Sequence, residues 1–240
     1  MSRDLTARSL LLNHIQVKAI VDAPYRCLEL APTKIFVSFV SLWSYLQTMN
    51  EDVAAVRLEH YRVNVAASTL TVQAFSEGLL SLFGHDPVIR VRDFEGEIEI
   101  VAGTFEKASL KVTINARSLI VVSKVSEKDR QEITNTMHKD VLETTKYPQI
   151  VFQSNNVSLS ALGSNRYRAL VIGELTLHGV TQNNVALKGE VTISTEGLRS
   201  KGGFSLRQTA FKIRLVSVAG GTLKIKDEVR GLFDIVAVSE

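Results

Sequence analysis

The stretch KYPQIVFQSNNV, Lys146 to Val157, decides how this chain is read. Pro148 stands at its mouth, where a missing N–H breaks no ladder bond, and the aromatic and β-branched run behind it reads as a strand. From Tyr61 onward the apolar pattern keeps mainly a period of two, punctuated by turn residues at short intervals. In LKVTIN, Leu110, Val112 and Ile114 fall on one face while Lys111, Thr113 and Asn115 fall on the other, as a strand with one wetted side requires. The same alternation marks YRVNVAA, STLTVQAFS, EGEIEIVAG, ASLKVTINARSL, QIVFQSNNVSL, RYRALVIGELTLHG, NNVALKGEVTIS, GGFSLRQTAFKI and RGLFDIVAV as candidate strands. The expected fold is therefore all-β and antiparallel, a barrel of about eight strands over residues 56–240.

One segment departs from this period. SEKDRQEITNTMHKDVLE, from Ser126, opens with Ser-x-x-Asp and crowds acids into its first turn, which predicts a helix. Its apolar residues Ile133, Met137 and Val141 recur every four, a narrow stripe suited to lying against a barrel wall or closing one end.

Composition narrows the function. Among 240 residues the 28 basic and 25 acidic side chains leave a net charge of +3 with no dense Lys/Arg run, so nucleic acid is not an expected partner. The single cysteine, Cys27, has no intramolecular partner for a disulfide, so the core is held by burial. The first 55 residues form an extension of different character, expected to be irregular or helical. It holds the only tryptophan, Trp43, and the largely apolar IFVSFVSLWSYL from Ile35 to Leu46. That run is too short for a membrane-spanning helix, which needs about 20 apolar residues. Three readings of it stand side by side: a poorly ordered or untranslated extension, a helix docked on the domain or a membrane surface, and a targeting segment. Met49 is a candidate initiator under the first. Localisation is expected to be cytoplasmic, with the periplasm as the alternative if the segment is a targeting signal.

The five histidines are scattered, with no metal-ligand spacing, and neither a metal nor a cofactor is expected. No G-x-S-x-G elbow is present. His85 and Asp86 set an imidazole beside a carboxylate in a predicted loop, read either as turn chemistry next to Pro87 or as a polar group for a ligand. His178 and Gly179 end a long strand. They read either as a tight turn in which Gly179 takes a positive φ and Thr181 bonds locally, or as a barrel mouth with His178 facing a ligand's polar end. The pairs Gly202–Gly203 and Gly220–Gly221 read as turns. Glu174, alternating with apolar neighbours, should face outward. Ile150, Phe152, Leu175, Leu177, Val191, Ile193, Phe204, Phe211, Phe233 and Ile235 supply long side chains to the strands. An eight-stranded barrel is just wide enough to be filled by such residues or to enclose one slim ligand.

KYPQIVFQS, GELTLHGVTQ, GGFSLRQTAFKI and GGTLKIKDEVRGLFDIVA, in this order, resemble the YceI-like family of bacterial lipid- or polyisoprenoid-binding proteins over about Tyr61 to Val238. Tyr147, Pro148, Ile150, Phe152 and Ser154 match one family strand, and Leu175, His178, Gly179 and Thr181 match its turn motif. The family commonly has an acidic residue before the Phe of the third motif and a Gly after it, where this chain has Ala210 and Lys212. The resemblance implies a lipocalin-like barrel with a helix against it and an elongated apolar tunnel for an isoprenoid chain. Ligand contact is then expected at Ile150, Phe152, Leu175, Leu177, Val191, Ile193, Phe204 and Phe211, with His178 and His85 toward the polar end. The expected function is non-enzymatic binding, transport or sequestration of an isoprenoid or quinone-like lipid, with transient membrane contact. The alternatives are a lipid-modifying enzyme using His85, Asp86 and His178, and a filled barrel serving protein contact. The oligomeric state is left open, a homodimer among the options.

Overall fold

Alternating apolar runs can hide one face only by curling that face inward, and the barrel does so. The computed structural model describes residues 58–77, 86–101, 104–218 and 223–240. All belong to the second of two units, Met1–Ala54 and Ala55–Glu240. The expectations for the tail, Trp43 and Met49 therefore fall outside the described residues, as do His85 and Gly220–Gly221.

The strands are β1 (Leu58–Val63), β2 (Thr69–Gln73), β3 (Ser76–Glu77), β4 (Val88–Val91), β5 (Phe94–Val101), β6 (Thr104–Asn115), β7 (Leu119–Val121), β8 (Gln149–Gly163), β9 (Arg166–Leu177), β10 (Val180–Ser194), β11 (Gly197–Arg207), β12 (Ser217–Val218), β13 (Leu223–Ile225) and β14 (Glu228–Ser239). They build a closed, antiparallel, eight-stranded barrel in the order β1-β5-β6-β8-β9-β10-β11-β14, with β14 returning to β1. Closure removes the free edges that an open sheet would expose.

Three barrel strands are kinked, and the halves keep their pairing. β1 faces β5 while β2 faces β4, β5 faces β6 while β4 faces β7, and β14 spans both β1 and β2. Two of the kinks are 3-10 turns, Val65–Ala67 and Ala116–Ser118. Each starts at an asparagine whose side chain bonds the local backbone in place of the ladder. Asn64 Oδ1 accepts from the Ala67 N–H at 3.2 Å, and Asn115 Oδ1 accepts from the Arg117 N–H at 3.1 Å. Ser68, only 3% exposed, repairs the first break: its Oγ donates to the Asn64 carbonyl at 2.7 Å and accepts the Val236 N–H at 3.0 Å.

The chain between β7 and β8 forms the predicted helix, α1 (Glu127–Thr136), which runs on into one π turn (Met137–Val141). Ser126 caps it, accepting the Asp129 N–H at 3.1 Å and donating its hydroxyl to the Asp129 carboxylate at 2.7 Å. A second, three-stranded sheet of β12, β13 and β3 extends the wall at the kinked end.

Two expectations are corrected. Gly202–Gly203 is no turn but lies in the middle of β11, paired on β10 with Gly189 and Lys188 and on β14 with Phe233 and Leu232. The expected strand GGFSLRQTAFKI ends at Arg207, where a 3-10 turn, Gln208–Phe211, takes Phe211 out of the two-residue period.

On the outer wall Arg199 holds Asp234 with two bonds of 2.7 Å, and Lys201 approaches the same carboxylate at 3.1 Å. The hydrogen bond from Arg199, followed by that from Lys201, pulls the Asp234 carboxyl down to about 2. Because the folded value lies below that of the free side chain, the contribution is present above about pH 4 and is lost as pH falls toward 2. The partners are half exposed, so solvent screening keeps it small. Melting curves of Asp234→Asn should accordingly show a shallower loss of stability between about pH 4 and pH 2 than the parent. Parallel acid profiles would contradict this assignment.

Candidate functional site

The barrel interior is apolar wall around empty space. Chamber one, about 190 Å³, is bounded by the inward residues of β5, β6, β8, β9, β10, β11 and β14, among them Ile98, Val112, Phe152, Val191, Ile193 and Phe233. Among the described residues, its polar lining residues are Ser109 and Ser200. Chamber two, about 420 Å³, lies toward α1 and the small sheet and is bounded by Ile89, Ile133, Met137, Val141, Ile150, Leu177, Ile213 and Ile225. Leu70, Ile114, Leu175 and Phe204 belong to both linings and mark the waist at which the chambers adjoin. The helix stripe Ile133, Met137 and Val141 is the wall of chamber two. Among the described residues, the polar lining residues of chamber two are Ser76, Asp129, Glu132, Thr136 and Gln208, of which Glu132 is exposed.

The space exists because the large aromatics do not cross it. Phe204 on β11 is paired with Gly231 on β14, and Phe233 on β14 with Gly202 on β11, so each ring leans over a bare backbone. A Cβ built on Gly231 would stand 2.0 Å from the Phe204 ring, and one on Gly202 would stand 2.7 Å from that of Phe233. Phe152 does the same over Gly173, diagonally across the β8–β9 pair, at 2.7 Å. Aromatic cover of strand glycines is a known device of curved sheets. A barrel filled by its own side chains is therefore not what is found.

The structure places the strand residues chosen from alternation on the two linings. Phe152, Val191 and Ile193 line chamber one, Ile150 and Leu177 chamber two, and Leu175 and Phe204 the waist. Phe211 and His178 do not. Phe211, 2% exposed, is buried with Phe152, Leu175 and Ile213 but borders neither chamber, because its 3-10 turn displaces it from the wall.

His178 is a latch. With φ of 52° it forms, with Gly179 at 70°, the two-residue turn between β9 and β10. Its Nε2 lies 2.7 Å from the Glu143 carboxylate and its Nδ1 3.2 Å from the Phe211 carbonyl, both acceptors. The ring packs on Tyr147 with centroids 4.6 Å apart, and Gly179 has no room for a Cβ, which would meet Tyr147 at 2.5 Å. Gln182 adds a bond from its amide to the Ala210 carbonyl at 2.7 Å, and Thr181 pairs with Thr176 at 2.8 Å. Tyr147, His178–Gly179 and Phe211, distant in sequence, thus meet at one point. Asp86 is also engaged structurally, accepting the Ser76 N–H at 2.7 Å. His178 and Asp86 lie outside both linings. Glu174 is exposed, as alternation requires.

A model of the YceI-like domain matches residues 60–237. The chain belongs to the YceI-like family. Solved structures agree in fold. BcnA of Burkholderia cenocepacia, 19% identical, superposes with a TM-score of 0.51 over 73% of this chain and 99% of its own. A polyisoprenoid binding domain from Saccharophagus degradans, implicated in plant cell wall breakdown, is 14% identical, with a TM-score of 0.54 over 75% and 98%. No curated protein matches the chain. The third family motif differs here by having Lys212 where glycine is common, and the reason for that glycine is visible: this position has φ of 59°.

Sequence reasoning missed the glycines under the rings. Their signal was a Gly in each of two neighbouring strands, two residues from a Phe and on the same face, GGF at 202–204 and GLF at 231–233. Gly231→Ala tests the arrangement, since φ at Gly231 is not positive and the atoms nearest the added methyl all belong to the Phe204 ring. The variant should lose about 1–3 kcal/mol in denaturant melts, as overpacked sites do, and should narrow the waist. No loss would mean that the ring does not hold this place. His178→Asn keeps a residue tolerant of positive φ but loses the Glu143 and Tyr147 contacts. It should cost about 1–2 kcal/mol in the same assay.

Proposed function

We propose that this protein binds a long isoprenoid chain, or a lipid of similar shape and quinone-like head, along the two chambers and carries or sequesters it without chemical change. The observation that carries the reading is the pair of predominantly apolar chambers that share lining residues, with the polar ones in chamber one limited to Ser109 and Ser200 among the described residues. A linear hydrocarbon is the ligand class that such a shape accommodates, and each Å² of apolar surface it buries contributes roughly 25 cal/mol. Lost ligand freedom offsets part of this. Membership of the YceI-like family and the fold shared with a polyisoprenoid binding domain support the same reading. Binding without catalysis is favoured because His178 spends both ring nitrogens on the β9–β10 latch, away from the chambers.

The test is mass spectrometry of organic extracts from protein purified without detergent from a bacterial host, beside an unrelated barrel. Near-stoichiometric isoprenoid or quinone is expected. Phe152→Asp places a carboxylate in chamber one and should remove that lipid, whereas His178→Asn should retain it. A folded parent without enriched lipid would overturn the proposal.

A further inference from the structure

The wall of chamber two on the side of β11, β13 and β14 carries a charge pattern that holding a chain does not require. Along this part of the sequence the lining residues are flanked by exposed cations. Lys212 and Arg214 flank Ile213, Lys224 and Lys226 flank Ile225, Arg207 stands between Leu206 and Gln208, and Arg230 follows Val229. Elsewhere on the barrel some cations are matched, Arg62 with Glu240, Arg166 with Glu190, and Arg199 and Lys201 with Asp234. Others, Arg168 and Lys188 on the wall of chamber one among them, stand without an ion pair among the described residues. What sets this side apart is that such cations flank the lining residues Ile213 and Ile225 on both sides. Among the described residues, no acid lies within ion-pair distance of Lys212, Arg214, Lys224 or Lys226. The nearby acids are mostly engaged. Asp227 accepts twice from Thr209, Glu228 pairs with Arg230, and Glu77 faces Lys224 only as a register partner. Across the chamber, the helix side is mildly acidic, with Glu127 paired to Arg130, Asp129 held by Ser126, and Glu132 exposed.

We infer that this cationic rim docks on an anionic lipid bilayer surface, bringing chamber two to the headgroup layer so that a chain can pass between membrane and barrel. The inference rests on the tunnel reading for its purpose, though not for the docking itself. What favours a bilayer over an acidic protein is the layering. Side chains at one position point to an apolar chamber and those at the next carry positive charge, which matches a surface whose anionic groups lie directly over hydrocarbon. Each cation brought to such a surface strengthens binding by roughly fivefold, an effect that fades beyond a Debye length.

The experiment is flotation of the full chain with vesicles of phosphatidylcholine alone and of phosphatidylcholine with 30% phosphatidylglycerol, scored as the ratio of the two affinities so that any charge-independent binding cancels. Two double variants are compared. Arg214→Glu with Lys226→Glu alters the rim. Arg168→Glu with Lys188→Glu makes the same charge change at exposed positions of β9 and β10, on the wall of chamber one. The parent should prefer the anionic vesicles, the rim variant should lose at least about tenfold of that preference, and the wall variant should keep most of it. A parent without preference, a rim variant that retains it, or equal losses in both variants would overturn the inference. The lipid content of each purified variant is measured alongside. A rim variant that still holds its lipid separates loss of docking from failure of the tunnel, and an empty parent counts against the tunnel alone.

Discussion

Empty apolar space inside a protein is unstable toward collapse unless its largest side chains are held off the axis. Here the holding is done by absence, with a glycine placed beside each of three rings. Phe204 and Gly202 alternate along β11, Phe233 and Gly231 along β14, and the pairing sets each ring opposite a glycine. The contact returns dispersion energy to the ring and covers backbone that would otherwise be bare. Chamber one and the waist follow from this, because the same phenylalanines in staggered positions facing the axis would meet in the middle.

The kinks of the first three strands do the complementary work at the other end. A regular eight-stranded wall leaves room for little more than its own side chains. By breaking at Asn64, at Arg92–Asp93 and at Asn115, the wall changes direction while every half-strand keeps a partner. The helix with its π turn, and the small sheet of β3, β12 and β13, complete the wider chamber that results. The interior thus has two parts of different origin, one opened by glycines and one by bends.

Much of the polar chemistry lies on the outside and at joints. The latch at His178 ties the β9–β10 turn to Glu143, Tyr147 and the 3-10 turn of Phe211, and so fixes the end of the barrel beside chamber two. Arg199 and Asp234 bridge β11 and β14 on the outer face, directly outside the strands that carry the glycine and phenylalanine pairs. Lys212, Arg214, Lys224 and Lys226, exposed cations without an ion pair among the described residues, flank the chamber-two residues Ile213 and Ile225.

The strand period was legible in the sequence because side chains on a strand alternate with a period of two, whatever the partners are. Leu110, Val112 and Ile114 on one face already implied a wetted outer wall, and Ile133, Met137 and Val141 a helix lying on it. Alternation also picked out Phe152, Leu175 and Val191 as inward residues. What it could not decide was whether inward meant filled or hollow, since that depends on which residue of the neighbouring strand lies opposite each ring. Gly202–Gly203 was read as a turn for the same reason: its meaning is set by register with Phe233 and Leu232, thirty residues away. The roles of His178 and Phe211 were likewise beyond local reading, because a side chain at a strand end takes its direction from what the tertiary structure sets beside it. Sequence determined which residues face inward along each strand; only the pairing of strands decided what space they leave, because a cavity is a property of neighbours.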